Sequence, residues 1–167
     1  NLFCYDEKAD SPNVFATEMF SITPQDDIRT AQYKNMICSK NLIKKLLAAY
    51  KEGNISVRTD SKDFDSWYNK RTAADGKIDF HGRTREIYNL IRGVAAPFPG
   101  AFAYVGEEKV TVWEAQPFDE MIDFSAYAPG EVIDVFDGHP IVRTVDGSLL
   151  IKKYESAKEL QAGGGIG

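Results

Sequence analysis

The chain has 167 residues and a formal net charge of −5, with 43% hydrophobic and 27% charged residues. This composition is typical of a globular protein, and no apolar run approaches the roughly 20 residues that cross a bilayer, so we expect no membrane partner. Cys4 and Cys38 are too few and too far apart for a metal cluster, and no signal peptide is recognised. We therefore expect unpaired thiols, no metal and a cytoplasmic protein.

Charge is distributed unevenly along the chain. Residues 101–167 hold five basic and twelve acidic side chains, a net charge of −7, whereas residues 1–100 carry a net charge of +2. A surface that grips a nucleic-acid backbone needs clustered Lys and Arg, which displace condensed counterions. The acidic second part of the chain therefore disfavours tRNA as a partner.

Two strand-like runs and a long helix are predicted first. Leu2–Tyr5 and Val14–Phe20 are rich in apolar residues, and the loop between them is dense in acidic and turn-forming residues. Thr23 is a natural N-cap for the helix, and Pro24 suits its first position. The helix should end near Tyr50, before the Gly53–Asn54 stop signal. Its apolar positions should cover a sheet; they include Ile28, Ile37, Leu42, Leu46 and Ala49.

A polar, irregular segment at residues 58–77, which could connect two domains, and a second helix follow. Thr84 is a reasonable N-cap, and apolar residues recur at helical spacing up to Val94. Pro97 and Pro99 should end this helix, because each lacks a backbone N–H and biases the preceding residue towards extended geometry. Arg71 and Arg92 could meet a phosphate here, although solvated charges are the commoner explanation.

From Ala101 onwards the pattern predicts strands. The period changes to two, and later runs at 132–136, 141–145 and 149–154 are separated by Asp-Gly pairs, which favour tight hairpins. Five short strands favour a small antiparallel barrel. Its aromatic residues alternate with small and aliphatic ones, which favours a core position over an exposed stacking surface; they are Phe98, Phe102, Tyr104 and Trp113.

Two ordered segments carry a family resemblance. Residues 70–80 read KRTAADGKIDF and residues 91–102 read IRGVAAPFPGAF. In order and spacing they resemble the linker and the start of the C-terminal domain in 10-formyltetrahydrofolate-dependent formyltransferases. The resemblance extends over the rest of the chain, except for its glycine-rich tail.

The resemblance implies an α/β plus β fold with four parts. Residues 1–57 would be the C-terminal portion of a Rossmann-like catalytic domain, and residues 58–83 a linker. Residues 84–160 would form a helix plus an OB-like antiparallel β-barrel, and residues 161–167 a flexible tail.

The resemblance also implies a chemistry. The run EKADSPNV matches the family position of the catalytic aspartate, which would be Asp10, while Lys8 and Ala9 would meet the folate of 10-formyltetrahydrofolate through backbone atoms. Pro12 departs from the glycine that the family usually has. The family's catalytic Asn and His should precede residue 1, so we expect this chain alone to be inactive. His81 and His139 have no ligand at helical spacing and should be structural.

The sequence leaves alternatives for the molecule that supplies the acceptor amine and for whether the protein is an enzyme or a binding module. The run that ends PFPGAFAYVGEEKVTVW looks closest to formyltransferases of the UDP-4-amino-4-deoxy-arabinose type, so an amino-sugar nucleotide is the preferred substrate. Methionyl-tRNA formyltransferase is one alternative, and a non-catalytic binding module is another. An exposed edge on the first strands would be prone to pair with another copy, so a homo-oligomer is also left open.

Overall fold

A computed structural model describes residues 1–4, 13–59 and 68–167 of the chain. The described residues form two compact units. The first comprises Asn1–Asp26 and Thr30–Lys70, and the second comprises Asp27–Arg29 and Arg71–Gly167. Each unit has its own sheet, and the sheets are described separately below.

The sheet of the first unit has three short strands in the order β1-β2-β3. They are β1 (Leu2–Phe3), β2 (Asn13–Ala16) and β3 (Arg58–Thr59), and both described pairs are antiparallel. Strand β2 ends four residues earlier than the sequence predicted. The assignment of this region to a Rossmann-like domain stays a prediction.

The long helix α1 spans Ile28–Lys51, so Thr23 is not its N-cap. Asp26 accepts hydrogen bonds from the Thr23 backbone N at 2.7 Å and from Thr23 Oγ1 at 2.9 Å, which closes a turn ahead of the helix. Lys34 Nζ lies 2.6 Å from the same carboxylate, which is 6% exposed. The Lys34 ammonium and the Thr23 donors hold the pKa of Asp26 well below its usual range. The prediction was wrong because this aspartate organises the turn.

The other end of α1 confirms the predicted stop. Gly53 has a φ of 65°, and its N–H donates to the Tyr50 carbonyl at 3.1 Å. The Asn54 N–H donates to the Ala49 carbonyl at 2.9 Å. These two bonds form a Schellman motif, in which glycine takes the left-handed conformation without a Cβ penalty.

Helix α1 buries one narrow face and exposes another apolar one. Cys38 and Leu42 are buried, whereas Ile37, which we expected to cover a sheet, is 45% exposed. Other exposed apolar residues extend about one turn before Ile37 and more than three turns after it; they are Tyr33, Met36, Ile43, Leu47 and Tyr50. A contiguous apolar surface of this kind is characteristic of a contact region.

The sheet of the second unit has five antiparallel strands in the order β4-β5-β8-β7-β6. The predicted closed barrel is therefore not formed in the described part of the chain, because β4 and β6 are the two edges. The strands are β4 (Ala101–Val105), β5 (Glu108–Asp119), β6 (Val132–Phe136), β7 (His139–Arg143) and β8 (Ser148–Glu155).

Helix α2 (Thr84–Val94) packs its apolar stripe on this sheet, as its periodicity predicted. Ile87 and Ile91 are buried in the core, and Leu90 and Val94 pack against it. A turn of 3-10 helix, Ala73–Gly76, precedes α2 in the chain. The core also holds residues from all five strands and the chain segments around them, namely Ile78, Phe80, Ala101, Ala103, Val110, Val112, Val132, Val142, Leu149, Ile151, Leu160 and Ile166.

The aromatic residues of β4 face away from this core, which contradicts the prediction. Ala101 and Ala103 are 0% exposed, whereas Phe102 and Tyr104 are half-buried on the opposite face of the strand. Because side chains alternate along a strand, only one of the two sets can face α2. Ala101 and Ala103 share the core with the buried isoleucines of α2, where small side chains let the helix approach the sheet.

The turn between α2 and β4 generates a paired test of backbone strain. Gly100 has a φ of 83°, and a Cβ there would lie 2.7 Å from Thr111 Cγ2 and 2.9 Å from Trp113 Cζ3. We expect Gly100→Ala to lower the free energy of unfolding by about 2–4 kcal/mol, from left-handed strain and overpacking.

Gly93→Ala is the matched control, because a Cβ at Gly93 would meet nothing within 4 Å. Alanine in a helix should raise the free energy of unfolding by up to about 1 kcal/mol. Urea unfolding of both variants checks the pair. Equal effects would contradict the role assigned to Gly100.

Candidate functional site

The predicted catalytic and folate-binding residues, Asp10, Lys8 and Ala9, lie outside the described residues, as does Pro12. The described residues on either side of them are joined to each other. The Cys4 N–H donates to the Asn13 carbonyl at 2.9 Å. Val14, the second residue of β2, is buried. The two ends of the segment that carries the predicted residues are therefore held side by side by strand pairing.

The described thiols and histidines form no chemical cluster. Cys4 is exposed, Cys38 is buried and both are free. His81 Nδ1 lies 3.2 Å from Asp79 Oδ1, and the His81 backbone N–H donates to the same oxygen at 2.9 Å. That backbone N–H lowers the pKa of Asp79. Among the described residues, no group of three or more His, Cys, Asp or Glu side chains is placed to hold a metal ion.

The length and hydropathy of the two helices were compared with what a bilayer span requires. Within the described ranges, neither helix is both long and apolar enough to cross a bilayer.

Two buried hydroxyls and the carboxylate of Asp146, an exposed residue, form a network that fixes the start of α2. The Thr84 backbone N donates to Asp146 Oδ1 at 2.7 Å, and Thr84 Oγ1 donates to the same oxygen at 2.9 Å. Thr144 Oγ1 lies 2.6 Å from Thr84 Oγ1, and both threonines are 0% exposed. Since the Thr84 hydroxyl hydrogen is used on Asp146, Thr144 is the donor to Thr84. The network is therefore fully satisfied.

This network corrects two predictions. Thr84 is the first helical residue and Arg83 is the N-cap, because the acceptor for the Thr84 N–H comes from a distant loop. The Asp146–Gly147 pair does not form a two-residue hairpin turn. The Thr144 N–H donates to the Gly147 carbonyl at 3.0 Å in a longer turn, which frees Asp146 to cap α2. The Thr84 backbone N–H lowers the pKa of Asp146.

A cavity of about 480 Å³ lies in the second unit and is the strongest candidate for a binding site. Its walls come from residues 71–76 and 93–100, and we name it the 71–100 pocket. The first segment contains the 3-10 turn, and the second contains the end of α2 and the turn that follows it. Its volume lies in the range of small-molecule sites, about 300–1,000 Å³.

The polar side of the 71–100 pocket is a short capping motif. Asp75 Oδ2 accepts hydrogen bonds from the Thr72 backbone N at 2.6 Å and from Thr72 Oγ1 at 3.0 Å. The Thr72 backbone N–H, together with the nearby Arg71 charge, lowers the pKa of Asp75, so the carboxylate is ionised at neutral pH. Arg71 is exposed and makes no hydrogen bond or ion pair with the described residues. Sequence reasoning missed this motif, although its T-x-x-D spacing is a capping signature.

The apolar side of the pocket is formed by Val94, Phe98 and Pro99. Phe98 is 44% exposed, which contradicts its predicted core position. Its backbone N–H donates to the Ala95 carbonyl at 3.0 Å, and the Gly100 N–H donates to the Val94 carbonyl at 2.9 Å. These two bonds and the flanking prolines hold the aromatic ring at the pocket wall.

Glycines allow the two walls to meet. A Cβ at Gly76 would lie 2.8 Å from the Gly100 carbonyl oxygen, a backbone atom with little freedom to move away. Gly93, which also lines the pocket, faces open space instead. Residue 76 is therefore restricted to glycine by contact between the walls, whereas residue 93 leaves the pocket volume free.

Two lysines lie over the outward-facing aromatics of β4. Lys109 Nζ is 4.4 Å from the Phe102 ring centroid, and Lys77 Nζ is 5.9 Å from that of Tyr104. The two rings are 5.8 Å apart, edge to face. Lys77 is brought to this surface by a parallel bridge to Phe102 between segments that are distant in the chain, which a local sequence pattern does not show. These cation–π contacts stabilise the outer surface of the sheet.

Arg92, which the sequence offered as a phosphate contact, is placed differently from Arg71. Arg92 and Arg85 lie 5.5 and 5.7 Å from the Tyr88 ring centroid, and Arg92 Nε donates to Asn89 at 2.9 Å. These partners hold Arg92 on the outer surface of α2. Of the two arginines, only Arg71 lines the 71–100 pocket.

The chain is similar to one protein family in sequence and to several solved structures in fold. A family model described as the formyl transferase C-terminal domain matches residues 70–163, more than half of the chain. HypX from Aquifex aeolicus in complex with tetrahydrofolic acid has a similar fold, with a TM-score of 0.67 and 20% identity. The match covers 92% of this chain and 26% of that chain.

Two solved transferases are also similar, at 17% identity each. One is the N-formyltransferase from Helicobacter canadensis in complex with folinic acid and dTDP-3-aminofucose, with a TM-score of 0.66 over 89% of this chain and 53% of that chain. The other is WlaRD, a sugar 3N-formyl transferase, with a TM-score of 0.65 over 93% of this chain and 53% of that chain. At these identities the likeness is one of fold. The chain spans about a quarter of HypX and about half of each sugar enzyme.

The Thr84 network predicts a pH-dependent loss of stability. We expect Asp146→Ala to lower the free energy of unfolding by about 1–2 kcal/mol, as for the loss of a helix cap, and Asp146→Asn to lower it less because it keeps an acceptor oxygen. The pKa of Asp146 is lowered by folding, so its charge stabilises the fold above an unfolded-state pKa of about 3.9. That contribution is lost as the pH falls through the folded-state pKa.

Urea unfolding of the wild type and Asp146→Asn at neutral and acidic pH checks this expectation. The difference between the two proteins should be constant at neutral pH and should shrink below about pH 4. Glu107→Gln, at an exposed turn, is the control and should show no comparable change. A difference that grows on acidification would contradict the network.

Proposed function

This chain belongs to the formyl transferase C-terminal domain family, and we propose that the whole protein transfers a formyl group from 10-formyltetrahydrofolate to the primary amine of an amino-sugar nucleotide. The observation that carries the proposal is the family match over residues 70–163. The fold likeness to two N-formyltransferases, one solved with folinic acid and dTDP-3-aminofucose and the other in the presence of dTDP and 5-N-formyl-THF, supports the choice of cofactor and substrate class.

We assign Asp10 the role of a proton acceptor at the amine. The folate supplies the formyl group, and the amine that receives it must lose a proton. A positioned carboxylate can take that proton and can orient a neighbouring histidine, such as the one the family resemblance implies. An aspartate of ordinary pKa, about 3.9, is ionised at neutral pH but is a weak base, so a partner of this kind is needed. Lys8 and Ala9 are proposed to meet the folate through backbone atoms.

Charge supports a sugar nucleotide as the acceptor. Residues 101–167, which contain all five strands of the second sheet, carry a net charge of −7. A tRNA backbone would be repelled by this surface, whereas a nucleotide needs only one or two cations. Within the sugar nucleotides, we propose a UDP-4-amino-4-deoxy-arabinose type of substrate, on the sequence resemblance of the segment that ends in Trp113.

Substitution of Asp10 in the whole protein tests the assigned role. We expect Asp10→Asn to lower kcat by about 100-fold or more, the scale of losing a positioned proton-transfer group. Asp6→Asn, an equivalent change in the same segment, is the matched control and should retain activity. Formylated product is measured by mass spectrometry with UDP- and dTDP-linked amino sugars as acceptors. Near-wild-type turnover by Asp10→Asn would remove this residue from the mechanism, and no transfer to any amine would favour the non-catalytic module.

A separate measurement tests the exclusion of tRNA. We expect weak binding of methionyl-tRNA to the chain even at low ionic strength, because few cations on residues 101–167 are available to release counterions. Fluorescence anisotropy over a range of salt concentrations gives the affinity and its salt slope. Tight binding with a steep negative slope would overturn the charge argument and favour methionyl-tRNA as the acceptor.

A further inference from the structure

We propose that the 71–100 pocket binds the nucleoside diphosphate half of the acceptor, with its base against Phe98 and a phosphate beside Arg71. This inference rests on the proposed function and adds the place where the chain holds the substrate. All the described residues that line the pocket belong to the second unit.

The size and apolar wall of the pocket suit a flat base. Its volume of about 480 Å³ accommodates a molecule the size of a nucleotide, and Val94, Phe98 and Pro99 form one side. Phe98 exposes 44% of its surface although its backbone is held by hydrogen bonds within the turn. An exposed aromatic ring on a hydrogen-bonded backbone is a stacking surface that accepts any base.

The opposite side of the pocket provides one cation and one acceptor. Arg71 makes no hydrogen bond or ion pair with the described residues, although its charge acts on Asp75, so its guanidinium N–H groups are available for bidentate hydrogen bonds to a phosphate. Thr72 occupies only Oδ2 of Asp75. The Oδ1 atom accepts no hydrogen bond from the described residues and can accept one from a ribose hydroxyl. A cation, an acceptor and an aromatic ring around one cavity match the phosphate, ribose and base of a nucleotide.

A second cavity in the same unit fits this ligand less well. It measures about 370 Å³ and is lined by Lys77, His81 and residues near the end of the chain. Its cation already lies over Tyr104. Phe80 is buried in the core, and the exposed ring of His81 lies 3.2 Å from the Asp79 carboxylate, so this cavity has no exposed Phe, Tyr or Trp ring among its described lining residues. The 71–100 pocket is therefore the better nucleotide site.

Calorimetric titration of the 167-residue chain with UDP and dTDP tests the inference, with uridine and inorganic pyrophosphate as half-ligands. We expect each nucleotide to bind more tightly than either half-ligand. Arg71→Ala should weaken UDP binding about 10-fold or more and reduce its salt dependence, since it removes a charged phosphate contact. Phe98→Ala should weaken UDP and uridine binding about 5- to 100-fold and leave pyrophosphate binding unchanged.

Gly93 offers a variant that separates binding from folding. Leucine at residue 93 favours the helix more than glycine does and places its side chain at the pocket wall. We expect Gly93→Leu to abolish UDP binding with an unchanged or raised Tm. Arg85→Ala, which removes a cation from the outer surface of α2, is the charge-matched control for Arg71→Ala and should bind UDP like the wild type.

The outcomes distinguish this inference from the proposed function. No UDP or dTDP binding by the wild-type chain, or binding that Arg71→Ala, Phe98→Ala and Gly93→Leu leave unchanged, would overturn the pocket assignment even if the whole protein transfers formyl groups. Binding that responds to these variants, in a protein that transfers no formyl group, would support the pocket and contradict only the proposed reaction.

Discussion

The hydrogen bonds that Thr84 makes to Asp146 and Thr144 decide where α2 lies, and much of the second unit depends on that position. They connect the first turn of α2 with the loop between β7 and β8, residues separated by about sixty positions in the chain. Both hydroxyls are buried, so a shifted helix would leave them without partners, at a cost comparable to a lost hydrogen bond or more. A position fixed at the start of α2 also fixes its end, where the 71–100 pocket is found.

Small residues allow the close packing around α2 and the 71–100 pocket. Ala101 and Ala103 let α2 approach the sheet closely, and Gly76 and Gly100 let the two walls of the pocket meet. The consequence for β4 is that its aromatic side chains must lie on the other face, where lysines cover them. The close packing of α2 on one face of β4 therefore accounts both for the buried alanines on that face and for the lysine-covered aromatic residues on the other.

The proposed chemistry is divided between parts of the chain with different physical characters. Proton transfer is assigned to Asp10, in a segment of the first unit whose flanking residues are joined by strand pairing. Nucleotide binding is assigned to the second unit, which is acidic overall yet has Arg71 at the 71–100 pocket. A local cation on an acidic surface favours a small phosphorylated molecule over a polymer of phosphates.

Several local structures were predicted correctly because local physics decides them. The stripe of α2, the glycine stop of α1 and the Asp137–Gly138 hairpin, with φ angles of 51° and 77°, follow from periodicity and backbone sterics alone. The two segments that carried the family resemblance could also be read from the chain directly, and both lie within or at the edge of the matched range.

Partners from distant segments decided the rest. Asp146–Gly147 is the same dipeptide as Asp137–Gly138, which forms the other hairpin turn. Its aspartate nevertheless caps α2, because Thr84 lies within hydrogen-bonding distance of it. The packing of α2 determines which face of β4 is buried in the core, because either face of a strand with alternating side chains can turn inwards. A sequence determines which local structures are available, whereas only the tertiary fold brings together the groups that choose between them.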